Sequence, residues 1–324
     1  MRVLITGGYG FLGSWVVKDL IAGGHDIFLY DIKQDTERLE VILNKEAIAK
    51  TTFCEGNVTD QDRLVRTIRE HGITHIIHLA GLQVPTCRAN PVLGAQVNVM
   101  GTLAIFEAYK ECRNQVKRVV YASSAAVFGP PSDYPAGSLS DDVRLSPSTN
   151  YGFYKICNEG NAKVYFLDHG LTSIGLRPWT VYGVGRDVGM TSEPTKAMKC
   201  MALNKPYHIT YGGFQDLQYV ADVARVFAHS LDVPFEGAKS FNLRGDVVDL
   251  KTLHQVFEKL EPEAAKLITF GDRQIQIAYD LSDDNLQKEI GPLPKTPLSE
   301  GIYRTIKKFR KLESEGRLDK KDIS

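Results

Sequence analysis

Residues 2–13, Arg2-Val-Leu-Ile-Thr-Gly-Gly-Tyr-Gly-Phe-Leu-Gly13, decide the fold of this chain. The apolar run Val3–Ile5 predicts a buried strand, because short runs of strand-forming residues bounded by turn signals are typical of sheet cores. Gly7, Gly10 and Gly13 then follow at intervals of three residues. Three glycines at this spacing predict a tight turn in which backbone approaches backbone closely, because glycine has no side chain to obstruct it.

The residues after this turn continue the same pattern. Ser14–Ile21 has helical apolar spacing, and Asp26–Tyr30 predicts a second strand that ends in Asp31. A strand, a glycine turn, a helix start and an acid at the end of the next strand together predict dinucleotide binding. The pyrophosphate would lie at the helix N-terminus, where free N–H groups favour negative charge. The Asp31 carboxylate would accept from the ribose diol, which favours NAD over its 2′-phosphorylated form.

Composition excludes several classes of protein. The 324 residues are 43% hydrophobic and have no net charge, so we expect no nucleic acid and no anionic membrane as a partner. No apolar run is long enough to span a bilayer, and the chain enters a strand at once, so we expect no leader peptide. Five scattered cysteines favour reduced thiols in a cytoplasmic protein. No His, Cys or Asp cluster has metal-ligand spacing, so we predict no metal.

Strand and helix patterns alternate through the first half of the chain. Repeated β-α units predict the α/β class, with a Rossmann-type doubly wound parallel sheet and a smaller C-terminal substrate lobe. We assign residues 1–180 to the dinucleotide-binding domain and residues 181–324 to the substrate lobe. Residues 213–242 are expected to return to the first domain. Residues 92–113 predict one long helix, and residues 178–194 a long loop.

A second set of residues points to proton transfer. Arg118–Ser123 predicts a strand that runs into Ser124, and Tyr151 and Lys155 are four residues apart at the start of the next predicted helix. That spacing places both side chains on one helix face. An ammonium beside a phenol favours the phenolate, so Tyr151 could exchange a proton with an alcohol while Ser124 holds the oxygen. Tyr303 and Lys307 repeat the spacing, but no serine-bearing strand precedes them.

With these motifs the chain resembles the extended short-chain dehydrogenase/reductases, the NAD-dependent epimerase/dehydratase family, over essentially its whole length. The resemblance rests on the following stretches: residues 6–13, Asp31, 78–81, 98–102, 121–129, Tyr151 with Lys155, 177–183 and 219–224. It implies NAD-linked chemistry, with Ser124, Tyr151 and Lys155 as the catalytic residues. The cofactor contacts that we expect are Gly7, Gly10, Phe11, Leu12, Gly13, Asp31, Asn57, Val58, Leu79, Ala80, Gly81, Asn98, Tyr151, Lys155 and Pro178.

Departures from the family pattern narrow the range of possible substrates. Dehydratases of the family carry an acid pair where Ala125 and Ala126 stand, so we set dehydration aside. Nucleotide-sugar epimerases have an Asn at the position of Thr180 and a diphosphate-binding Arg in the region of Gln215. An amide cannot replace the charge of a guanidinium, which suits phosphate oxygens. We therefore expect a substrate smaller than a nucleotide sugar.

The function that we predict is hydride transfer between NAD and a secondary alcohol or ketone of a small polar substrate, such as a sugar, a sugar acid or a hydroxy acid. Two alternatives stay open: a nucleotide-sugar 4-epimerase and a non-enzymatic NAD-binding sensor. Arg186 could clamp a small carboxylate; Thr191 and Ser192 could bind the substrate or start a helix. The candidate substrate contacts are Ser124, Ala125, Thr180, Arg186, Thr191, Ser192 and Gln215.

We expect a homodimer in which each subunit contributes two helices to the interface. The predicted helices at residues 92–113 and 151–169 carry apolar residues on more than one face, which requires cover on both sides. The family often pairs these helices across a two-fold axis.

Overall fold

The computed structural model describes residues 1–323 and is organised around a seven-stranded parallel sheet. The strands of the chain are β1 (Arg2–Thr6), β2 (Asp26–Asp31), β3 (Thr51–Glu55), β4 (His75–His78), β5 (Arg118–Ala122), β6 (Ser173–Arg177), β7 (Thr180–Tyr182), β8 (Tyr207–Ile209), β9 (Phe214–Tyr219), β10 (Ala238–Asn242), β11 (Asp246–Asp249) and β12 (Ile268–Phe270). The order in the large sheet is β10-β6-β5-β4-β1-β2-β3. This is the Rossmann-type doubly wound sheet that the alternating pattern predicts.

Helices cover both faces of this sheet. Their bounds are α1 (Phe11–Ala22), α2 (Glu37–Ile42), α3 (Lys45–Ile48), α4 (Gln61–Glu70), α5 (Val84–Ala89), α6 (Pro91–Ala95), α7 (Gly101–Glu111), α8 (Asn150–His169), α9 (Glu193–Ala202), α10 (Val220–His229), α11 (Leu250–Leu260), α12 (Pro262–Ala265), α13 (Asp284–Ile290) and α14 (Leu298–Ser314). Within the described residues, no helix is both long enough and apolar enough to cross a membrane.

The strand order reverses beside β1. From β1 the chain moves outward to β2 and β3, then crosses back to β4 on the other side. The first connections therefore leave a crevice between β1 and β4 at their carboxyl ends, which is where doubly wound sheets bind ligands.

The second half of the chain builds two small sheets and also returns to the large one. Strands β11, β9 and β7 form one small sheet, and β12 pairs with β8 in the other. After β9, helix α10 packs against α1, and β10 pairs in parallel with β6 at the edge of the large sheet.

Two local predictions need correction. The segment 178–194 is not a continuous loop, because Thr180–Tyr182 pairs with β9 as strand β7. The predicted helix at residues 92–113 is broken into α6, a π-helical turn at Gln96–Met100 and α7. A π turn inserts one residue into the helical repeat, and such turns occur often at functional sites.

The glycine turn brings α1 close to the end of β1. A Cβ atom on Gly13 would lie 2.4 Å from the carbonyl oxygen of Gly7 and 2.8 Å from Cα of Gly8. Gly7 has a φ of +68°, a left-handed conformation that a side chain disfavours. A Cβ on Gly7 would also meet the backbone of Ala80 at 2.8 Å, so the turn is packed on both sides.

We expect Gly13→Ala to lower the free energy of unfolding by about 1–3 kcal/mol, because the added methyl group meets backbone that cannot move aside. The same substitution should weaken NAD binding, since it separates α1 from the turn. Thermal unfolding and calorimetric titration with NAD measure both effects. Lys18→Ala, on the exposed side of the same helix, is the matched control and should change stability by no more than about 0.5 kcal/mol. Equal stability of the Gly13 variant and the wild type would contradict the close approach.

Candidate active site

A cleft opens at the carboxyl ends of the central strands, bordered by the glycine turn and by the start of α8. It contains most of the residues that the sequence predicts for the cofactor and the substrate. Those in its wall are Gly7, Gly10, Phe11, Leu12, Gly13, Leu79, Gly81, Asn98, Ser124, Ala125, Tyr151, Lys155, Pro178, Arg186 and Thr191. The two motifs that are distant in the sequence therefore meet in one cleft.

Four predicted cofactor residues lie outside this wall. Asp31 ends β2 beside β1, where its carboxylate accepts from the backbone N–H of Ile32 at 2.9 Å. The Asn57 side chain accepts from Thr59 in the turn after β3. Val58 is buried, and a Cβ on Gly101 would touch it. Ala80 donates its N–H to the Thr6 hydroxyl at 3.3 Å.

Three predicted substrate residues lie behind the wall. Thr180 and Gln215 are buried on the paired strands β7 and β9. The hydroxyl of Ser192 donates to the carbonyl of Gly189 at 2.8 Å, just before α9 begins. The prediction that these side chains contact the substrate therefore has no support in their placement, because strand pairing and helix entry turn them into the protein.

Ser124 and Tyr151 lie together in the cleft. The Ser124 hydroxyl accepts from the N–H of Ala126 at 3.1 Å and lines the cleft together with the Tyr151 phenol. Thr149 caps the first turn of α8 by accepting from Gly152 at 3.1 Å, which holds Tyr151 at the helix start. Burial raises the pKa of Tyr151, while the hydrogen bond from Ser124 and the charge of Arg186 lower it.

Lys155 lies one helical turn after Tyr151. Its Nζ is 5.4 Å from the centre of the Tyr151 ring and donates to the carbonyl of Ala122 at 2.7 Å. Burial lowers the pKa of this amine to about 8. The sequence predicts that Lys155 favours the phenolate, but the groups that lower the pKa of Tyr151 here are Ser124 and Arg186.

The alternative pair Tyr303 and Lys307 is on the surface. Tyr303 is 44% exposed on α14, and the Lys307 amine lies 5.5 Å from its ring centre. Neither residue lines the cleft, so this pair is an exposed helix face, as the missing serine-bearing strand indicates.

A buried ion pair holds α8 against the sheet. Arg177, at the end of β6, binds Glu159 on α8 through two hydrogen bonds of 2.9 and 2.7 Å. The hydroxyl of Ser123 donates to the same carboxylate at 2.5 Å. Arg177 also donates to the backbone carbonyl of Asp141 and to the side chain of Asn242. Because Glu159 is four residues after Lys155, these contacts fix the depth at which the face of α8 that carries Tyr151 and Lys155 meets the end of β5.

Asn98 lies in the π-helical turn and is buried. Its amide nitrogen donates to the carbonyl groups of Leu82 and Gly94, and its oxygen accepts from the N–H of Leu82. The side chain therefore fastens the segment after β4 to the helix. Of the two roles that the sequence leaves open for Asn98, these contacts favour packing and positioning.

The cleft has further wall residues that sequence reasoning missed. They are Leu82, Val84, Ala122, Ser123, Ala126, Val181, Met190 and Ile277. Ile277 comes from the C-terminal lobe and has no motif around it. The alternation of β7 could have indicated Val181, since Thr180 points away from the cleft.

The glycine turn fits NAD. A Cβ on Gly10 would meet only the Gly7 carbonyl oxygen, at 3.1 Å, so the concave side of the turn is open to a ligand. No side chain caps the N-terminus of α1, and its first N–H groups are available to a pyrophosphate. When bound, NAD supplies hydride transfer, which no amino-acid side chain can provide.

Comparison with known proteins agrees with this geometry. Residues 3–243 match the model of the NAD dependent epimerase/dehydratase family. The chain belongs to this family. NAD is its cofactor, and it is an enzyme of the epimerase/dehydratase class.

Several relatives of this family cover nearly the whole chain. An uncharacterised protein of Methanocaldococcus jannaschii is 31% identical over 321 residues, 94% of each chain. A UDP-glucose 4-epimerase of Mycolicibacterium smegmatis is 28% identical and covers 96% of this chain and 99% of its own. Among solved structures, the Thermus thermophilus UDP-glucose 4-epimerase in complex with NAD is 27% identical, with a TM-score of 0.80 over 96% of this chain and 99% of its own. A monomeric L-threonine 3-dehydrogenase shares the fold at 22% identity, with a TM-score of 0.81 over 96% of this chain and 99% of its own.

Lys155→Met should stabilise the cofactor-free protein while it abolishes turnover. Lowering a lysine pKa from 10.5 to about 8 corresponds to roughly 3 kcal/mol of unfavourable burial. This penalty is fully present below about pH 8, declines as the folded protein loses the proton, and is gone above the unfolded value of 10.5. At pH 7 we expect the free energy of unfolding to rise by about 1–3 kcal/mol. The rise is smaller than the full penalty where the lost hydrogen bond to Ala122 offsets part of it, and near pH 10.5 we expect no rise.

Chemical denaturation at several pH values measures this effect. Lys163→Met, on the exposed part of the same helix, is the control and should show no such pH dependence. A Lys155 variant that is less stable than the wild type at pH 7 would show that burial of the ammonium does not destabilise the folded protein.

Proposed function

We propose that this protein transfers a hydride between NAD and a secondary alcohol or ketone of a small polar substrate. The observation that carries the proposal is the meeting of Ser124, Tyr151 and Lys155 in the cleft of the glycine turn. In the oxidative direction Ser124 hydrogen-bonds the substrate oxygen, and Tyr151 accepts its proton. Lys155 keeps a positive charge beside the Tyr151 ring. In the reverse direction Tyr151 returns the proton to the carbonyl oxygen.

The surroundings of this triad support oxidoreduction rather than water elimination. Ala125 and Ala126 follow Ser124, and neither can carry a proton. Dehydration requires an acid and a base next to the reacting carbons, so the residues present favour hydride and proton exchange at a single carbon.

A small substrate is supported by the positions of Thr180 and Gln215. Both are buried behind the wall, and Gln215 carries no charge with which to match a diphosphate. Among the side chains that line the cleft, only Lys155 and Arg186 are cations. A nucleotide diphosphate carries two or more negative charges, which need matched partners once water is removed.

The second candidate is a nucleotide-sugar 4-epimerase, which uses the same three residues to oxidise and re-reduce one carbon without net turnover of NAD. It is favoured by the relatives named UDP-glucose 4-epimerase, at 27–28% identity over nearly the full chain.

Substrate screening separates the two candidates. We expect NADH absorbance to grow with at least one sugar, sugar acid or hydroxy acid. UDP-glucose should leave the Tm of the NAD-bound protein unchanged, because the cleft lacks the charges for its diphosphate. Micromolar binding of UDP-glucose by calorimetry, together with formation of its 4-epimer, would replace the proposal by the epimerase.

Tyr151→Phe removes only the phenolic oxygen. With the substrate found in the screen, turnover should fall by a factor of about 10² or more, because the proton acceptor is lost while NAD affinity is retained. Tyr303→Phe is the matched control on the exposed helix face and should keep full activity. The opposite pattern, an active Tyr151 variant and an inactive Tyr303 variant, would reverse our assignment.

We also propose a cytoplasmic homodimer. Along α8 the exposed residues Phe153, Cys157, Gly160, Val164 and Leu167 recur at spacings of three and four, which makes one helix-long stripe. Exposed apolar residues on the neighbouring segment, Val92, Leu93 and Met100, extend this surface. In a two-fold symmetric dimer, a second copy of the chain would cover α8 and the neighbouring segment with its own α8 and neighbouring segment. The five cysteines are free, which suits a reducing compartment.

Light scattering at micromolar concentration should give twice the 36.1 kDa mass of one chain. Phe153→Glu combined with Leu167→Glu should give the monomer, because charges cannot be buried in the paired helices without a partner. Leu267→Glu, an exposed apolar position of the other lobe, should leave the dimer intact. A monomeric wild-type protein would refute the proposed pairing.

A further inference from the structure

Arg186 is a half-buried cation in the wall of the cleft. Its guanidinium carbon lies 5.6 Å from the centre of the Phe11 ring, next to the glycine turn. Its Nη2 donates to the Thr191 hydroxyl at 3.2 Å, and its Nε is buried without a hydrogen-bond partner in residues 1–323. A half-buried cation with one neutral partner is incompletely satisfied, because removing a charge from water is costly unless that charge is paired.

The nearest acid in the sequence is held elsewhere. Asp187 follows Arg186 directly, but its carboxylate accepts from Nη2 of Arg38 at 2.7 Å. No carboxylate lies within ion-pairing distance of Arg186 in the described part of the chain. Asp187 is therefore paired with Arg38 rather than with Arg186, which leaves the guanidinium available to an anion from outside.

The position of Arg186 relates it to the reacting group. Burial lowers the pKa of Arg186, while interactions with Tyr151, Tyr211 and Asp187 raise it. Gln83 and Gly189 lie next to Arg186 in the structure. A Cβ on Gly189 would lie 2.1 Å from the Gln83 amide oxygen and 3.1 Å from Nη2 of Arg186. Only glycine at position 189 allows these two side chains to approach each other.

We propose that Arg186 binds a carboxylate of the substrate, and that the protein acts on small hydroxy acids. The inference rests on the proposed function and names its substrate class. A guanidinium fork matches a carboxylate through two parallel hydrogen bonds. A single free cation matches a single negative charge, which favours a carboxylate over a phosphate ester. Arg186 and Tyr151 line the same cleft, so one small molecule that carries both a carboxylate and an alcohol could contact both side chains.

Binding measurements on NAD-saturated protein test this inference without turnover. The protein is the Tyr151→Phe form, and the probes are glycerate, 3-hydroxybutyrate, the neutral 1,3-butanediol and inorganic phosphate. We expect at least one hydroxy acid to bind more tightly than both butanediol and phosphate. Arg186→Gln should weaken its binding about ten-fold or more, because a charge-assisted contact is lost. Arg186→Lys should recover part of this loss.

Variants of the neighbouring ion pair provide a sharper control. Arg38→Met releases Asp187, which can then pair with Arg186 and compete with the ligand, so it should also weaken hydroxy-acid binding. Asp187→Asn removes the competitor and should bind the acid at least as tightly as the parent protein. The NAD affinity of each variant checks that the cleft is intact.

The outcomes separate the inference from the proposed function. Equal acid binding by the Arg186→Gln and parent forms overturns the inference, and so does tighter binding of butanediol or phosphate. If a neutral sugar reduces NAD in the wild type with no dependence on Arg186, the proposed function stands and the inference falls. Arg186-dependent binding of hydroxy acids in a protein that oxidises neither these acids nor any sugar, and that reduces none of the corresponding ketones, supports the anion site and rejects the proposed function.

Discussion

The arrangement of the active site depends on the buried ion pair between Arg177 and Glu159. Arg177 belongs to the sheet and Glu159 to α8, so this pair decides how the helix that carries Tyr151 and Lys155 sits on β5, the strand that leads into Ser124. Ser123 joins the same carboxylate, which ties the end of β5 to both. Buried pairs contribute little net stability relative to apolar residues, but loss of one partner is costly, about 3–5 kcal/mol. The pair therefore acts mainly as a geometric constraint on the catalytic face.

The same burial that fixes this geometry also sets its electrostatics. Burial raises the pKa of Tyr151 and lowers that of Lys155, so the enclosed site disfavours both charged forms. Ser124 and Arg186 act against this tendency at the phenol. The site thus combines an apolar enclosure with a few polar groups directed at one oxygen atom, which is the usual composition of a small-molecule site.

Much of the fold could be predicted from local sequence. The glycine turn, the β-α alternation and the spacing of Tyr151 and Lys155 are local patterns, and parallel strands bring their carboxyl ends to one edge. The environment of Thr180 and Gln215 could not be predicted, because it depends on the pairing of β7 with β9 across distant segments. The position of Arg186 likewise depends on Phe11 and on Arg38, which holds Asp187, and no local pattern encodes such contacts. The π turn that carries Asn98 also has no clear signal, since its five residues read as ordinary helix.

The ion pair between Arg38 and Asp187 joins two segments for which we propose different ligands. Arg38 follows the strand that ends in Asp31, the residue predicted to bind the cofactor ribose, and Asp187 belongs to the loop that carries Arg186. A loop position that one ligand favours would therefore bear on the segment proposed for the other, because the ion pair connects the two. Binding free energies are linked reciprocally. If NAD raises the affinity for the second ligand by some factor, that ligand raises the affinity for NAD by the same factor. Both ends of the pair are about one-third exposed, so salt screens it, and any coupling that it carries weakens as the ionic strength rises.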